Sequence, residues 1–414
     1  MTYFGVNTLS GFGTLGRCEI IAAATVLLYV ERTQLGARPP LSPPQSDSGS
    51  GGMRLDAATR ANLELTRTLS GERQGSLLSV IDRTITPGGA RLLAERLSGP
   101  LTDGAQISRR LDSLSFFIET PSVRENLRAA LKGAPDLARA LSRLAMGRGG
   151  PRDLAAVRDG LSAMDAIAAF LAQEPSLSDE VNTALIHLQQ VDPMLRTKLT
   201  EALSDSLPLK ARDGGFIRSG HLPELDETRA LRDESRQVIA ALQAQYADLT
   251  GARTLRIKHN NFLGYFVEVP QAVGEELVKP PHQALFVHRQ TMQGAMRFST
   301  QELGTLESKI ASAADRALAL ELALFDSLSQ LVLAHETPLK QAADALAVLD
   351  VASALAQRAE EGGWTRPKID TSTAFSIKGG RHPVVEQALK RDGHVFVAND
   401  TCLLYTSDAA DDTP

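Results

Sequence analysis

The chain has 414 residues, which is long enough for several domains that each bury a core. Apolar residues make up 43% and charged residues 22% of it, and its formal net charge is −5. These values exclude a chain that is basic throughout, so any nucleic-acid contact must come from a local patch. The two cysteines, Cys18 and Cys402, have no partner spacing, which excludes a thiolate metal site and indicates a reducing compartment. We therefore expect a cytoplasmic protein.

The first 36 residues contain one apolar stretch, IIAAATVLLYV at residues 20–30. It is far shorter than the roughly 20 residues that a membrane-spanning helix needs, so it predicts a buried helix and no membrane partner. The preceding GFGTLG (11–16) fits the pyrophosphate-binding pattern G-x-G-x-x-G, but the strand and acidic residue that should accompany it are missing. We interpret it as a glycine-rich turn. Residues 37–52 are rich in Pro, Ser and Gly and are predicted to form a linker.

From residue 54 to about residue 212 the sequence has the pattern of successive helices. The motifs TPGG, SGP, GAP and GRGGP interrupt the apolar periodicity, and such residues end one helix and begin the next. This pattern predicts an all-α domain. A more polar helix is predicted from residue 222 to residue 249, before Gly251. Its sparse apolar stripe includes Leu225, Ile239, Leu242, Tyr246 and Leu249.

The following segment changes its period from that of a helix to that of a strand. TLRIKHNNFLGYFVEV alternates on both sides of an Asn-Asn/Gly turn. ALFVHRQTMQGAMRFST predicts two more short strands around Gln293 and Gly294. The segment therefore predicts a small antiparallel sheet.

A long helix is predicted to follow this sheet. Ser299 and Glu302 form a capping-box pattern, and behind it runs a seam of apolar residues at steps of three and four: Leu303, Leu306, Ile310, Ala313, Ala317, Leu320 and Leu324. Helices of this length reach roughly 40 to 50 Å, so we expect the sheet at the tip of a two-helix arm. Another helix is predicted beyond Thr337 and Pro338 as far as Glu361, and a new domain from about Trp364.

The predicted tip is basic although the chain is acidic. Six basic and three acidic side chains give residues 251–300 a net charge of +3, which leaves −8 for the rest. The polar residues of its turns, among them Asn260, Thr291 and Gln293, suit contacts to phosphate and sugar and offer little for reading base edges. The alternative is an ordinary solvated hairpin face.

No complete catalytic site and no metal site are predicted in the chain. The phosphate-loop pattern G-x-x-x-x-G-K-[ST] is absent, as are the nucleophile elbow, the zinc-protease motif H-E-x-x-H and the kinase signatures. The eight histidines are scattered and form no ligand cluster.

Several long stretches carry a resemblance to a known family. In chain order they are MRLDAATRANLEL, GSLLSVIDRTITPGGARLLAERLSGPLTD, LSRLAMGRGGPRDL, HNNFLGYFVEV, HRQTMQGAMRFSTQEL, and GGRHPVVE with FVAND. With these motifs the chain resembles the MutS family of DNA mismatch-repair proteins from residue 53 to residue 400.

The resemblance implies a mainly α fold. A long-helix lever or core domain would carry a small antiparallel β-sheet clamp at the tip of a two-helix arm, with fragments of α/β domains at both ends. The implied parts are the end of a connector domain (1–36), the linker (37–52), the lever domain (53–220 and 335–363), the arm (221–334) with the clamp (251–300), and the start of an ATPase domain (364–401). In such proteins a dimer closes as a ring around DNA and the clamp holds the DNA backbone.

The family also suggests which residues contact ligands. The clamp candidates for phosphate contact, chosen by charge and turn position, are Arg256, Lys258, Asn261, Arg289, Gln293 and Arg297. Phe396 matches the aromatic residue that lies against the adenine ring in the family, with a strand core position as the alternative. His382 of the RHP motif is a second candidate for the nucleotide site, and a structural role in the turn before Pro383 is an equally good interpretation.

The intact family protein would use ATP and ADP with Mg²⁺, bind mismatched duplex DNA, form a homodimer and cooperate with the repair protein MutL. The chain departs from this pattern. The mismatch-reading Phe-x-Glu occurs only as chance matches at residues 117–119 and 266–268. After Asp400 the sequence TCLLYTSDAADDTP does not continue the expected strand and reaches no phosphate loop. We therefore expect an incomplete chain with a foreign tail (402–414), weak duplex binding without mismatch preference, poor nucleotide binding and no ATP turnover.

Three hypotheses follow. The first is a MutS-type mismatch-repair protein seen as an incomplete chain. The second is a shortened relative that acts as a DNA clamp or interaction protein without mismatch recognition or ATPase activity. The third is an unrelated helical scaffold with a β tip, which would require every motif to be a coincidence. A connector segment before the levers, together with a full clamp, favours the first.

Overall fold

The computed structural model describes residues 15–33, 41, 44, 52–53, 55–260 and 262–403, with residues 231–236 as backbone only. Most of the predicted linker, most of the GFGTLG motif, Asn261 and residues 404–414 lie outside the described residues.

Helices make up most of the described chain, as predicted. They are α1 (Arg17–Thr33), α2 (Ala57–Asn62), α3 (Leu77–Ile81), α4 (Pro87–Ser98), α5 (Gly104–Glu119), α6 (Pro121–Lys132), α7 (Leu137–Ala145), α8 (Pro151–Leu171), α9 (Asp179–Gln189), α10 (Pro193–Ala202), α11 (Pro223–Thr250), α12 (Gln271–Leu277), α13 (Gln301–Ala334), α14 (Glu336–Gly362) and α15 (Pro383–Arg391). The strands are β1 (Arg256–Asn260), β2 (Gly264–Pro270), β3 (Val287–Met292), β4 (Ala295–Ser299), β5 (Phe375–Gly380) and β6 (Asn399–Leu403). The prediction of a mainly α fold with a small antiparallel sheet is confirmed.

The chain divides into two compact units. The first comprises Met1–Gly149, Asp153–Thr197 and Leu331–Pro414, and the second comprises Gly150–Arg152 and Lys198–Gln330. Each unit has buried apolar side chains of its own.

Helix α14 forms the centre of the first unit. It packs against α4, α5, α6, α7 and α9. Half of the side chains that it buries are alanines, and small side chains allow the neighbouring helices to approach closely. The helix begins at Glu336, so Pro338 lies in its first turn, where a missing N–H costs nothing, and the predicted start beyond Pro338 is wrong by a few residues.

The start of α4 shows why the TPGG motif begins a helix. Thr86 is the N-cap and its hydroxyl accepts from the Gly89 N–H, while Pro87 occupies the first turn. The fully buried Asp350 carboxylate of α14 accepts from the N–H of Ile85 (3.0 Å) and from the N–H (2.7 Å) and hydroxyl (2.6 Å) of Thr86. A Cβ at Gly89 would overlap this carboxylate. Burial raises the pKa of Asp350, against the hydrogen bonds from Thr86.

The second unit carries the predicted sheet between its two long helices. The four strands have the order β1-β2-β4-β3 and all pairs are antiparallel. One face of the sheet packs on the adjoining ends of α11 and α13, which bury Tyr246 and Leu303 against Val267 and Phe298. Both predicted hairpins, and the stripe at Leu225, Ile239, Leu242 and Tyr246, are confirmed, whereas Leu249 is 53% exposed and is not part of the core.

The predicted cap of the long helix is displaced by one residue. Thr300 precedes α13, and its hydroxyl accepts from the Leu303 N–H at 3.2 Å. Ser299, predicted as the cap, lies at the end of β4 and accepts from Arg289 instead. Glu302 accepts from the Tyr246 hydroxyl at 3.2 Å and makes no capping box.

Two apolar helices differ from the sequence-based expectations. Helix α1 forms as predicted but buries no residue, with Ile21, Leu28 and Tyr29 all more than half exposed, so the predicted burial is wrong within the described residues. Helix α13 alone among the described helices has the length and hydropathy that a membrane span would need, by length and composition only. It also carries a buried carboxylate, Glu321, in an ion pair with Arg229.

The end of the described chain forms a strand, a helix and a second strand. Strands β5 and β6 pair antiparallel, and Thr401, Cys402 and Leu403 pair with Ile377, Ser376 and Phe375. The strand expected before Asp400 is therefore placed too early: residues 394–398 have no regular structure, and β6 continues to Leu403.

Candidate nucleic-acid interface

Strand register brings three predicted cationic residues onto one face of the four-stranded sheet. Arg256 pairs with Glu268, Glu268 pairs with Arg297, and Lys258 pairs with Phe266. Directly paired residues share a face, and residues two apart on a strand do so as well. We call the face that carries Arg256, Lys258, Phe266, Glu268 and Arg297 the basic face. It is the face opposite the core residues Val267 and Phe298.

Glu268 lies between two of these cations and binds both. Lys258 Nζ contacts its Oε1 at 2.7 Å, and Arg297 Nε contacts its Oε2 at 3.0 Å. The hydrogen bond from Lys258, followed by that from Arg297, holds the pKa of Glu268 below its usual value. The carboxylate therefore stays ionised at neutral pH, and the basic face carries three cations and one anion, a net formal charge of +2.

Arg297 is further held by an aromatic ring. Its guanidinium carbon lies 4.7 Å from the centroid of the buried Phe266 ring, within the range of a cation–π contact. Its Nη1 also donates to Gln290 Oε1 at 3.2 Å. These contacts leave the Arg297 side chain 19% exposed, whereas Lys258 is 55% exposed. Lys258 is thus the more accessible of the two cations that bind Glu268.

Arg256 and Arg289 each donate hydrogen bonds to nearby groups of the same sheet region. Arg256 Nη1 donates to the carbonyl oxygens of Leu255 at 2.8 Å and Arg253 at 3.1 Å. Arg289 lies on the edge strand β3, at a register irregularity between His288 and Gln290, and its Nε donates to Ser299 Oγ at 2.7 Å. Arg289 therefore lies outside the cross-strand row that contains Arg256 and Arg297.

The β1–β2 turn and the β3–β4 turn lie at opposite ends of the sheet. Gln293 is exposed in the β3–β4 turn, next to Gly294 with φ +81°, and this turn adjoins Pro270 at the end of β2. The β1–β2 turn adjoins Gly264 at the start of β2. Asn261, which follows Asn260 in the sequence, is outside the described residues. The structure thus brings Arg256, Lys258 and Arg297 together and leaves Gln293 apart from them.

Two residues of this region were not selected from the sequence as parts of the site. Glu268 was counted only as a charge, although period-two alternation already places it opposite Arg256 once the hairpin register is known. Phe262, in the β1–β2 turn, is 93% exposed. An aromatic residue between Asn261 and a glycine-containing turn was the signal that could have identified it.

The two nucleotide-site candidates lie in the β5–α15–β6 segment. His382 is the N-cap of α15, and its Nδ1 accepts from the Val385 N–H at 3.4 Å, which is the structural role that the sequence left open. Phe396 is half-buried and lies in the irregular stretch before β6, not in a strand, between Val395 (88% exposed) and Val397 (77% exposed). Arg381, beside His382, donates to the carbonyl oxygens of Gly362 and Gly363 at the end of α14.

These features define an α-rich protein in which a small, basic β-sheet is inserted between two long antiparallel helices. A family model described as MutS domain III matches residues 58–356. The chain therefore belongs to the MutS family.

Proteins named DNA mismatch repair protein MutS are similar to nearly the whole chain. The one from Rhodopseudomonas palustris strain BisA53 is 55% identical over 397 residues, which is 96% of this chain and 44% of the relative. The one from Azorhizobium caulinodans is 54% identical over 410 residues (99% and 44%), and that from Bradyrhizobium sp. strain ORS 278 is 53% identical over 404 residues (98% and 44%). The chain thus spans less than half the length of these relatives.

Proposed function

We propose that this chain is part of a DNA mismatch-repair protein and that its four-stranded sheet holds the backbone of duplex DNA. The observation that carries the proposal is the basic face, where Arg256 and Lys258 on β1 and Arg297 on β4 lie on either side of Glu268 on β2. The names of the similar proteins support the same function, and they disfavour a clamp relative that takes no part in mismatch repair.

The chemistry of the basic face suits phosphate better than bases. Lysine and arginine side chains that neutralise phosphates release condensed counterions, and this gives affinity without sequence preference. Among the described residues, Gln290 and Asn260 are the neutral amides on this face. Their oxygens are already used within the sheet, because Gln290 Oε1 accepts from Arg297 and Asn260 Oδ1 accepts from the N–H groups of Phe262 and Leu263. We therefore propose a backbone contact that tolerates any sequence, to which Arg289 and Gln293 add contacts from the β3 side and Asn261 from the β1–β2 turn.

The remaining assignments concern the whole protein and rest on the family. We propose that residues 53–220 and 335–363 act as levers, that residues 221–334 form the arm, and that a nucleotide domain begins at about residue 364. In the whole protein, ATP or ADP with Mg²⁺ would bind there, with Phe396 against the adenine ring and His382 shaping the turn. Duplex DNA, a second copy of the chain and MutL are the proposed partners.

The test removes charge from the basic face without touching the core. In the 414-residue chain the double variant Arg256→Gln/Lys258→Gln is expected to bind a fluorescent duplex on the order of tenfold more weakly at low salt, because two phosphate contacts are lost. Fluorescence anisotropy titration measures this change. The matched control is Lys279→Gln, since this exposed lysine follows α12, which packs on β2 and β4, and pairs with Glu276 at 2.8 Å.

The DNA affinities of the two variants distinguish binding at the basic face from a general effect of positive charge. The proposal requires the control to bind like the unmodified chain. Equal losses in both variants, or no loss in the double variant, would show that the basic face does not hold DNA.

A further inference from the structure

The exposed aromatic side chain at the end of the first hairpin is not explained by backbone contacts. Phe262 lies in the β1–β2 turn and is 93% exposed, whereas the other phenylalanines of this sheet, Phe266 and Phe298, are buried. A phenyl ring so fully in water gains nothing from the fold of its own chain.

The turn that carries Phe262 is fixed on both sides. Asn260 Oδ1 accepts from the N–H of Phe262 at 3.0 Å and from that of Leu263 at 2.7 Å. Gly264 has φ +69°, and a side chain there would overlap the Glu307 carboxylate, which also accepts from the Tyr265 N–H. The backbone from Phe262 to Tyr265 is therefore held by hydrogen bonds while the Phe262 ring itself is left in solvent.

One cation and two further rings lie near Phe262, together with the Glu307 carboxylate that accepts from the Tyr265 N–H. Lys258 is two residues from Asn260 on β1, about 7 Å along the strand, and belongs to the basic face. His259 and Tyr265 lie beside the turn with ring centroids 4.8 Å apart and ring planes inclined at 59°. Basic side chains next to a free aromatic ring are the combination with which proteins bind nucleic acid whose bases are unstacked.

We propose that Phe262 stacks on an unpaired nucleobase of a DNA whose phosphates lie on the basic face. The inference rests on the proposed function, which supplies the phosphate contact. An unpaired base offers a free π-face to the ring, whereas insertion between paired bases would first require a base step to be unstacked at a cost of several kcal/mol. The turn would therefore favour DNA with a gap or a bulge over a continuous duplex, whatever the sequence of that gap.

The experiment compares two DNAs and three forms of the 414-residue chain. One DNA is a continuous duplex, and the other is the same duplex with a short single-stranded gap that contains 2-aminopurine. The variant Phe262→Leu keeps an apolar side chain but loses the aromatic ring. The matched control, Val287→Ala, shortens an apolar side chain that is 50% exposed on β3 of the same sheet.

The unmodified chain is expected to quench 2-aminopurine and to prefer the gapped DNA. Phe262→Leu should lose the quenching and bind gapped DNA at least about fivefold more weakly, because a stacked base contributes about 1–3 kcal/mol, while it binds the continuous duplex as before. Val287→Ala should match the unmodified chain on both DNAs. Since Phe262 makes no core contact, far-ultraviolet circular dichroism should be the same for all three.

The outcomes separate this inference from the proposed function. If the chain binds duplex DNA through the basic face but Phe262→Leu binds gapped DNA as tightly as the unmodified chain, stacking is wrong and the backbone contact stands. Equal weakening on both DNAs would also contradict stacking, because the ring would then contact paired DNA. If no form binds either DNA, both proposals fail.

Discussion

Glu268 reduces the net positive charge of the basic face. Its carboxylate binds Lys258 and Arg297, so a phosphate that approaches these cations must compete with a group already in contact with them. The pKa of Glu268 is lowered by these two partners, in that order. A lowered pKa means that the ionised carboxylate stabilises the folded sheet above its ordinary pKa of 4.5, and that this contribution is lost as the pH falls through the lower, folded-state pKa.

Replacement of Glu268 should therefore strengthen DNA binding while weakening the sheet slightly. Glu268→Gln removes a negative charge beside the phosphate path, and at about 4 Å in water this repulsion is roughly 1 kcal/mol, so the affinity for duplex DNA at pH 7 should rise about fivefold. Anisotropy titration measures the rise. The control is Glu276→Gln, which removes an exposed carboxylate from α12 and should change the affinity little. Weaker binding by Glu268→Gln would mean that the carboxylate positions Lys258 and Arg297 for phosphate.

At the scale of elements, α11 and α13 are joined by polar contacts of very different burial. Arg229 on α11 binds Glu321 on α13 at 2.8 Å, and Glu321 is 4% exposed and also accepts from the Phe216 N–H. Glu224 and Arg316 join the same two helices at 2.7 Å, but their side chains are 49% and 66% exposed. A comparison of the two pairs therefore shows how burial changes the contribution of an ion pair to stability.

Loss of the buried carboxylate should destabilise the arm far more than loss of the exposed pair. Glu321→Ala removes the closest charged partner of the mostly buried Arg229 and the acceptor of the Phe216 N–H, leaving Arg229 with Asp226 at 3.7 Å and the Ile217 carbonyl. It should cost about 3 kcal/mol, whereas Arg316→Ala should cost less than about 1 kcal/mol. Because a chain of two units need not unfold in one step, amide hydrogen exchange of α11 and α13 is the suitable measurement. Similar losses of protection in both variants would contradict the importance of burial.

The sequence predicts secondary-structure elements that depend on local patterns. It does not predict which of two adjacent residues makes a given tertiary contact. Alternation and turn residues predicted both hairpins, because β4 buries every second side chain and β2 buries Val267 and Val269 against the same core, although β3 is exposed along its whole length. The cap of α13 was misplaced because Ser299 and Thr300 are both competent caps, and only the contact of Ser299 with Arg289 shows which hydroxyl is free for the helix. For the same reason Glu268 was not selected, since its partners come from β1 and β4.

Helix α1 shows a second limit of sequence-based prediction. Its apolar residues predicted a helix, which forms, and burial, which does not occur within the described residues. Hydropathy measures the tendency of a side chain to leave water and contains no information about which residues cover it.

At the scale of the whole molecule, charge is segregated: residues 251–300 carry +3 and the rest of the chain carries −8. Residues 121–150, with six basic and two acidic side chains, are a second basic segment of this acidic chain. Basic segments attract phosphate, and acidic ones repel it. The basic face and Arg289 together supply four cations for the proposed DNA contact.

The number of cations that contact phosphate predicts how the DNA association constant depends on salt. If Arg256, Lys258, Arg289 and Arg297 each contact a phosphate, the logarithm of the association constant should fall against the logarithm of the salt concentration with a slope of about −3.6, since each contact contributes about −0.9. Titrations between low and physiological salt measure the slope. The double variant Arg256→Gln/Lys258→Gln should halve it, and a slope near zero would contradict an electrostatic contact.

The Tyr246 hydroxyl, which contacts Thr300 Oγ1 at 2.9 Å and Glu302 Oε2, has a mechanical consequence for the arm. Together with the Arg229–Glu321 pair it joins α11 to α13 at two levels, one beside the sheet and one farther along the helices. Sliding one helix past the other by a single turn, about 5.4 Å, would break the contacts at both levels at once. The contacts at both levels therefore oppose shear between the two helices, so a displacement applied to one of them is transmitted to the other.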